Sequence, residues 1–204
     1  MSTLAWQGSL LADEPREVDD PVARLAGARR DDLAHGAWVE RVVAWVGGVD
    51  ELFATLVEVL PWRQRREQIR GELVDQPRLT AHLDVDRVPE ELAALRELAA
   101  ALSEHYQTEF VRIGCNLYRD GRDSVAWHGD RVLRDRAAAT VAILSLGHER
   151  TLRLKPAEGG PSRAYPMVRG DLLVMGGSCQ RTWRHAIPKV ASAGPRISVT
   201  FRHR

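Results

Sequence analysis

In SVAWHGDRV, residues 124–132, an imidazole and a carboxylate stand two positions apart, at His128 and Asp130, with Gly129 between them. In an extended chain, side chains two apart share a face, so both would point the same way. Two ligands cannot close a metal site, and a third must come from a distant part of the chain. Among the other histidines, His35 lies near the N-terminus, His105 in a helical stretch, His148 at a Gly-His-Glu-Arg turn and His203 beside the end. His185 differs: it sits in QRTWRHAIPK, a β-prone run after the turn-rich GDLLVMGGS. Two histidines and a carboxylate form a facial triad that binds non-haem Fe(II) and leaves positions open for cosubstrate and oxygen. On these three residues alone, a polar turn with unrelated histidines reads equally well.

Two further polar sets share the period of two. PRISVTFRHR puts Arg196, Ser198, Thr200 and Arg202 on one strand face and Ile197, Val199 and Phe201 on the other. Guanidinium groups stay charged and grip carboxylates in a planar fork, the anchor a dicarboxylate cosubstrate beside iron would need. Each arginine alone would also suit an exposed strand edge. In GCNLYRDG, Asn116 and Tyr118 share a face, and an amide and a phenol there could hydrogen-bond a carboxylate or keto group.

These residues need strands to hold them. From about residue 109, short β-prone runs at 109–118, 124–130, 140–146, 150–155, 172–175, 182–187 and 196–202 are separated by Gly, Pro and Asp. Many short strands of this kind indicate a sandwich or barrel. Earlier, Asp50 precedes ELFATLVEVL, whose Leu52, Phe53, Leu56 and Leu60 have helical spacing, and Pro61 ends it. PEELAALRELAAALSEHY starts at Pro89 and carries Leu92, Leu95, Leu98, Leu102 and Tyr106 as an apolar stripe. The expected class is α+β, with one domain over 31–204. Its helical part, about 31–108, would pack against a β-rich part, about 109–204. Residues 1–30, rich in Asp, Glu, Arg and Ala with Pro15 and Pro21, are expected to form a mobile arm.

With 204 residues, 44% of them hydrophobic, the chain can bury a real core. No apolar run is long enough to span a membrane and no signal-peptide pattern opens the chain, so a cytoplasmic protein is expected. Cys115 and Cys179 form no metal-binding spacing and suit a reduced core. A net charge of +1 does not announce a nucleic-acid binder. Arg63, Arg65, Arg66 and Arg70 are nonetheless clustered after Pro61-Trp62, as a solvated face or a track for phosphates.

Together, NLYRDGRDSVAWHGD, GDLLVMGGSCQRTWRHAIPK and PRISVTFR resemble the AlkB family of Fe(II)/2-oxoglutarate-dependent dioxygenases, in its order and over roughly 109–202. The resemblance implies a double-stranded β-helix, or jelly-roll, core. It implies His128, Asp130 and His185 as iron ligands, Asn116, Tyr118 and Arg196 as residues holding 2-oxoglutarate, and Arg202 beside the cosubstrate. The implied cofactors are Fe(II), 2-oxoglutarate and O2. The implied reaction is oxidative dealkylation of N-alkylated bases in DNA, with RNA as a further substrate, releasing aldehyde, succinate and CO2. The base would be flipped out or single-stranded.

The resemblance also marks departures. Pro77-Arg78-Leu79-Thr80 matches a family motif, making Arg78 and His82 substrate-contact candidates, yet the expected aromatic residues and recognition hairpin do not follow, and the lid reads as short. His82 is then either a stacking residue or a loop histidine. Val132 stands where relatives often carry an acid, and Ser198 where an asparagine is common. Trp183, two before His185, should share its inward face as a pocket liner, unless it is core. QGSLL, Gln7 to Leu11, resembles peptides that engage a sliding clamp. Two alternatives stand beside base repair: the same oxygenase chemistry on tRNA, protein or a small molecule, and a non-catalytic nucleic-acid binding module.

Overall fold

The computed structural model describes residues 21–69, 71–130 and 136–203. In chain order its elements are α1 (Pro21–Leu25), β1 (Arg29–Asp32), β2 (Ala37–Val42), α2 (Val49–Val59), β3 (Arg63–Ile69), β4 (Glu72–Asp84), α3 (Ala93–Tyr106), β5 (Phe110–Tyr118), β6 (Val125–His128), β7 (Val141–Gly147), β8 (Arg150–Pro156), β9 (Arg163–Met167), β10 (Leu172–Gly177), α4 (Cys179–Thr182), β11 (Trp183–Ile187) and β12 (Arg196–His203). An eight-stranded sheet runs β1-β2-β10-β7-β12-β5-β4-β3, and a four-stranded sheet runs β6-β11-β8-β9. The recorded strand pairs are antiparallel. Two facing antiparallel sheets with crossed connections are the jelly-roll core the sequence implied.

Alternation along the central strands makes two separate cores. On β12, Ile197, Val199 and Phe201 pack with Phe53, Leu56, Leu95 and Leu102 of α2 and α3, on the outer side of the large sheet. Between the sheets, Ile143 of β7, Leu152 and Leu154 of β8, Met175 of β10 and Ile187 of β11 form the second cluster. Strand β7 sits between these layers and is buried at every position, which its run VAILSLG suits. Truncating Leu95, with no exposure, to Ala would cost about 2–5 kcal/mol.

Three expectations need correcting. Within the segment expected to be a mobile arm, residues 21–30 include α1 and the start of β1, and Leu25 is buried in the main core; residues 1–20, with the Gln7–Leu11 segment, lie outside the described residues. The part from 31 to 108 is not simply helical, since β2, β3, β4 and part of β1 lie in it. The lid is short only downstream of Thr80, where no hairpin follows; upstream, β3 and β4 form a long hairpin that the sequence reading did not include. Strands β1 and β3 read RRDD and RQRREQI, so neither carries the apolar alternation that marks a strand. No described helix is long and apolar enough to cross a membrane.

Candidate active site

A cavity of about 200 Å³ opens between the two sheets. From β12, Arg196, Ser198, Thr200 and Arg202 line it, opposite in parity to the apolar residues that face the helices. From β5 come Gly114, Asn116 and Tyr118, from β6 His128 and from β11 His185, while Asp130 follows β6 directly. His128 and His185 are cross-strand partners, and their ring centroids lie 4.2 Å apart. Residues far apart in sequence thus meet because two antiparallel ladders bring the same faces together.

The β6–β11 pairing is irregular: His185 opposes His128, but Ile187 opposes Val125. Three steps on β6 match two on β11, the signature of a β-bulge, which re-aims side chains. It turns both Val125 and His128 toward the cavity, while Ala126 and Trp127 are exposed. The bulge also leaves the Ala126 carbonyl 2.9 Å from His128 Nδ1. A carbonyl only accepts, so Nδ1 carries the proton and Nε2 keeps its lone pair, as a metal-ligating imidazole requires. Burial is the chief cause lowering the pKa of His128, and it drives that of His185 well below 6.5, where repulsion from a protonated His128 and from Arg202 adds to it. Both rings are therefore neutral.

Asp130 is buried, its carboxylate bound by Arg202 Nε and its backbone N–H donating to Gln180 Oε1 at 3.2 Å. Among the described residues, no three His, Cys, Asp or Glu side chains converge closely enough to enclose an ion while Asp130 is held this way. The ligand types and the His128 tautomer still fit a divalent iron: two neutral imidazoles and a carboxylate line one cavity wall.

Arg196 gives the second test of fit. It has no solvent exposure, and Nε donates to Ser145 Oγ at 3.1 Å. Nη1 and Nη2 are buried without a hydrogen-bond partner. Burial pulls its pKa to about 10, Tyr118 opposes that shift, and the neighbouring Arg150 charge reinforces it. A buried cation with two free donors is costly unless an anion reaches it, and a planar carboxylate matches the fork. Behind it, Arg150 donates to the carbonyls of Asp120, Asp123 and Pro188 at 3.2, 2.9 and 2.6 Å, pinning the loop ahead of β6.

The mouth is formed by the β3–β4 hairpin. Gln64 opposes Leu79 but Arg66 opposes Asp75, so Gln76, Pro77 and Arg78 bulge opposite Arg65 alone. Proline lacks the N–H that a regular ladder needs. Arg65, Gln76 and Arg78 all line the cavity as a result. Arg78 Nε donates to Asn116 Oδ1 at 2.9 Å, and Asn116 Nδ2 donates to Ser198 Oγ at 3.4 Å, so the amide is already engaged. His82 lines the cavity but is itself exposed, and burial, Arg65 and Arg202 lower its pKa in that order.

Other sequence candidates lie elsewhere. Trp183 is buried in the inter-sheet core and donates Nε1–H to the Ala34 carbonyl at 3.3 Å, so it is not a pocket liner: it shares parity with His185 but sits at the far end of the strand, beside α4. Arg66 pairs with Asp75 at 2.8 Å, and Arg63 is exposed at the base of the hairpin. Of the four clustered arginines, Arg65 reaches the cavity, while Arg70 and Val132 lie outside the described residues. Gln76 had no sequence assignment; Pro77 inside a strand was the signal available. The two thiols are inert structural groups, burial pushing both Cys115 and Cys179 up to about 12.

The family model of the 2OG-Fe(II) oxygenase superfamily matches residues 66–202. The chain is 32% identical to the alpha-ketoglutarate-dependent dioxygenase alkB homolog 3 of Mus musculus, over 94% of this chain and 73% of that one. It is 26% identical to the DNA oxidative demethylase ALKBH2 of Arabidopsis thaliana, over 91% of this chain and 72% of that one. The solved structure of OsALKBH1 superposes with a TM-score of 0.58 at 12% identity, covering 86% of this chain and all of that one, and shows the same fold. The chain therefore belongs to the AlkB family within the 2OG-Fe(II) oxygenase superfamily, enzymes that use Fe(II), 2-oxoglutarate and O2.

Proposed function

We propose that this enzyme removes alkyl groups from N-alkylated bases of nucleic acid, with DNA as its main substrate and RNA as a further one. His128, Asp130 and His185 are the iron ligands in this reading. Arg196 pairs with the distal carboxylate of 2-oxoglutarate, with Tyr118 and Asn116 beside it. Bound Fe(II), with 2-oxoglutarate and O2, supplies the oxidation that hydroxylates the alkyl carbon, yielding succinate and CO2; the hemiaminal then releases aldehyde and leaves the base with its N–H.

The chain's own residues do the rest. Arg196 balances the charge of the distal carboxylate in a dry recess, and Ser145 holds the guanidinium at its Nε, leaving both terminal nitrogens for that carboxylate. Arg202 balances the Asp130 charge. The bulged hairpin presents Arg65, Gln76 and Arg78 at the mouth, where guanidiniums meet phosphates and an amide can read a base edge. Among the described residues, His82 is the one ring at that mouth able to stack on a base.

The observation that carries the reading is the cavity itself: one carboxylate, three imidazoles (82, 128 and 185) and four arginines (65, 78, 196 and 202) in a protein whose net charge is only +1. Such a lining favours anions, as a dicarboxylate and a nucleic-acid backbone both are. The names of the two relatives, a dioxygenase and a DNA demethylase, support the same chemistry. Membership of an oxygenase family sets aside the non-catalytic binding module. The test offers 3-methylcytosine in matched DNA and RNA single strands and measures aldehyde and restored base. Repair of DNA at a higher kcat/KM than RNA is expected. Succinate formation with repair of neither would move the substrate to tRNA, protein or a small molecule.

A further inference from the structure

The four strands of the small sheet contain Arg150, Arg153, Lys155, Arg163 and Arg184 and not one Asp or Glu. In a chain of net charge +1, that is a concentration of charge. Leu152, Leu154, His185 and Ile187 point between the sheets, so by alternation Arg153, Lys155 and Arg184 occupy the outer face. Arg184 and Lys155 are direct cross-strand partners. Like charges in that register repel, and among the described residues none of the three has an ion-pair partner. Arg153 makes a single bond, to Ser162 Oγ at 2.9 Å.

An aromatic side chain sits in this basic face. The bulge that turns His128 inward turns Trp127 outward, leaving it 40% exposed on the edge strand of the sheet. Lys155 Nζ lies 4.5 Å from its ring centroid, reaching across β11, where Ala186 on the same face is small and buried. An open indole beside unpaired cations is the pairing that single-stranded nucleic acid recognises: a π-face for a base and charges for the phosphates. The surface is continuous with the cavity through β6, because Val125 and His128 line the pocket from the other side of that strand.

We propose that the outer face of the small sheet, Trp127 with Lys155, Arg184 and Arg153, is a second nucleic-acid surface that binds the strand flanking the reacting nucleotide as it passes over the β6 edge. A base stacks on Trp127 while the three cations take neighbouring phosphates. The inference rests on nucleic acid being the substrate, and it adds that affinity grows with strand length beyond what fills the cavity.

The test is fluorescence anisotropy with labelled oligothymidylates of three, six and twelve nucleotides, over a series of salt concentrations. For wild type, affinity should rise with length. Trp127→Ala should weaken twelve-nucleotide binding about tenfold and leave the three-nucleotide Kd near its starting value, while Trp127→Phe recovers most of the loss. Lys155→Ala and Arg153→Ala, both on β8, which carries no iron ligand, should each reduce the salt slope by about one. Arg87→Ala, which removes the same charge from the turn before α3, should change neither slope nor length dependence. If wild type binds these strands and all the surface variants match it, the surface is wrong and the substrate reading stands. If wild type binds none of them at any length, both fall. Displacement of the bound strand by poly-glutamate, with equal dependence on Trp127, would overturn nucleic acid as the occupant.

Discussion

Arg196 donates its Nε–H to Ser145 Oγ at 3.1 Å while both its terminal nitrogens remain buried without a hydrogen-bond partner. A charge held this way opposes folding until a carboxylate arrives. Replacing Arg196 by Met should raise the thermal midpoint of the cosubstrate-free protein and weaken 2-oxoglutarate binding by on the order of a hundredfold, since truncating one side of a buried charge pair is expensive. Calorimetry with and without 2-oxoglutarate reads both effects. A variant less stable than wild type that still binds 2-oxoglutarate would show that Arg196 is a structural residue.

Arg78 ties the hairpin to the cavity through Asn116, and it stands at the mouth rather than the floor. Arg78→Ala should raise KM for an alkylated oligonucleotide about tenfold, the loss of one charge-assisted hydrogen bond and its ordering effect. The KM for 2-oxoglutarate should move less than threefold. Steady-state kinetics in the two substrates separates these; an equal rise in both would place Arg78 with the cosubstrate.

Gly129 separates the two proposed ligands, His128 and Asp130, for a steric reason. A Cβ there would lie 2.5 Å from the Gln180 carbonyl oxygen and 2.8 Å from Arg184 Nη1. The guanidinium can swing aside, but the backbone carbonyl cannot. Gly129→Ala should cost about 1–3 kcal/mol of stability and displace Asp130 from Gln180. Denaturant unfolding together with Fe(II) titration checks it, and unchanged values in both would refute the close-packing account.

The metal-free protein should lose stability in mild acid. His185 has a pKa far below 6.5 because it is buried, so the folded state binds fewer protons than the unfolded one. Stability then rises with pH up to about 6.5 and falls on acidification, by at most about 1.4 kcal/mol per pH unit for this one proton. His185→Gln should flatten that fall in urea titrations between pH 5 and 7. Parallel slopes for the two proteins would rule out His185 as a source.

Parity made much of the cavity legible before any fold was known. The alternation Arg196, Ser198, Thr200, Arg202 against Ile197, Val199, Phe201 survives unchanged in β12, and the Asn116–Tyr118 pair lies opposite it in register. Parity failed wherever a ladder is interrupted. The bulge on β6 exposes Trp127 by a local irregularity that spacing does not encode, and the bulge at Pro77 swings Arg65 inward from a run that reads as solvated. Trp183 misled for another reason: two residues can share a face yet meet different neighbours, His185 at the middle of β11 over the cavity and Trp183 at its first position beside α4. Edge strands β1 and β9 are exposed along most of one side and need no apolar pattern, so nothing in RRDD announced one.

The most direct measurement is the stoichiometry of the reaction on a single-stranded DNA carrying 1-methyladenine, with Fe(II), 2-oxoglutarate and O2 supplied to the full chain. One formaldehyde and one succinate per adenine restored, with both products abolished in His128→Ala and in His185→Ala, is the predicted result. Succinate released without formaldehyde, or repair that persists when either histidine is replaced, would contradict it.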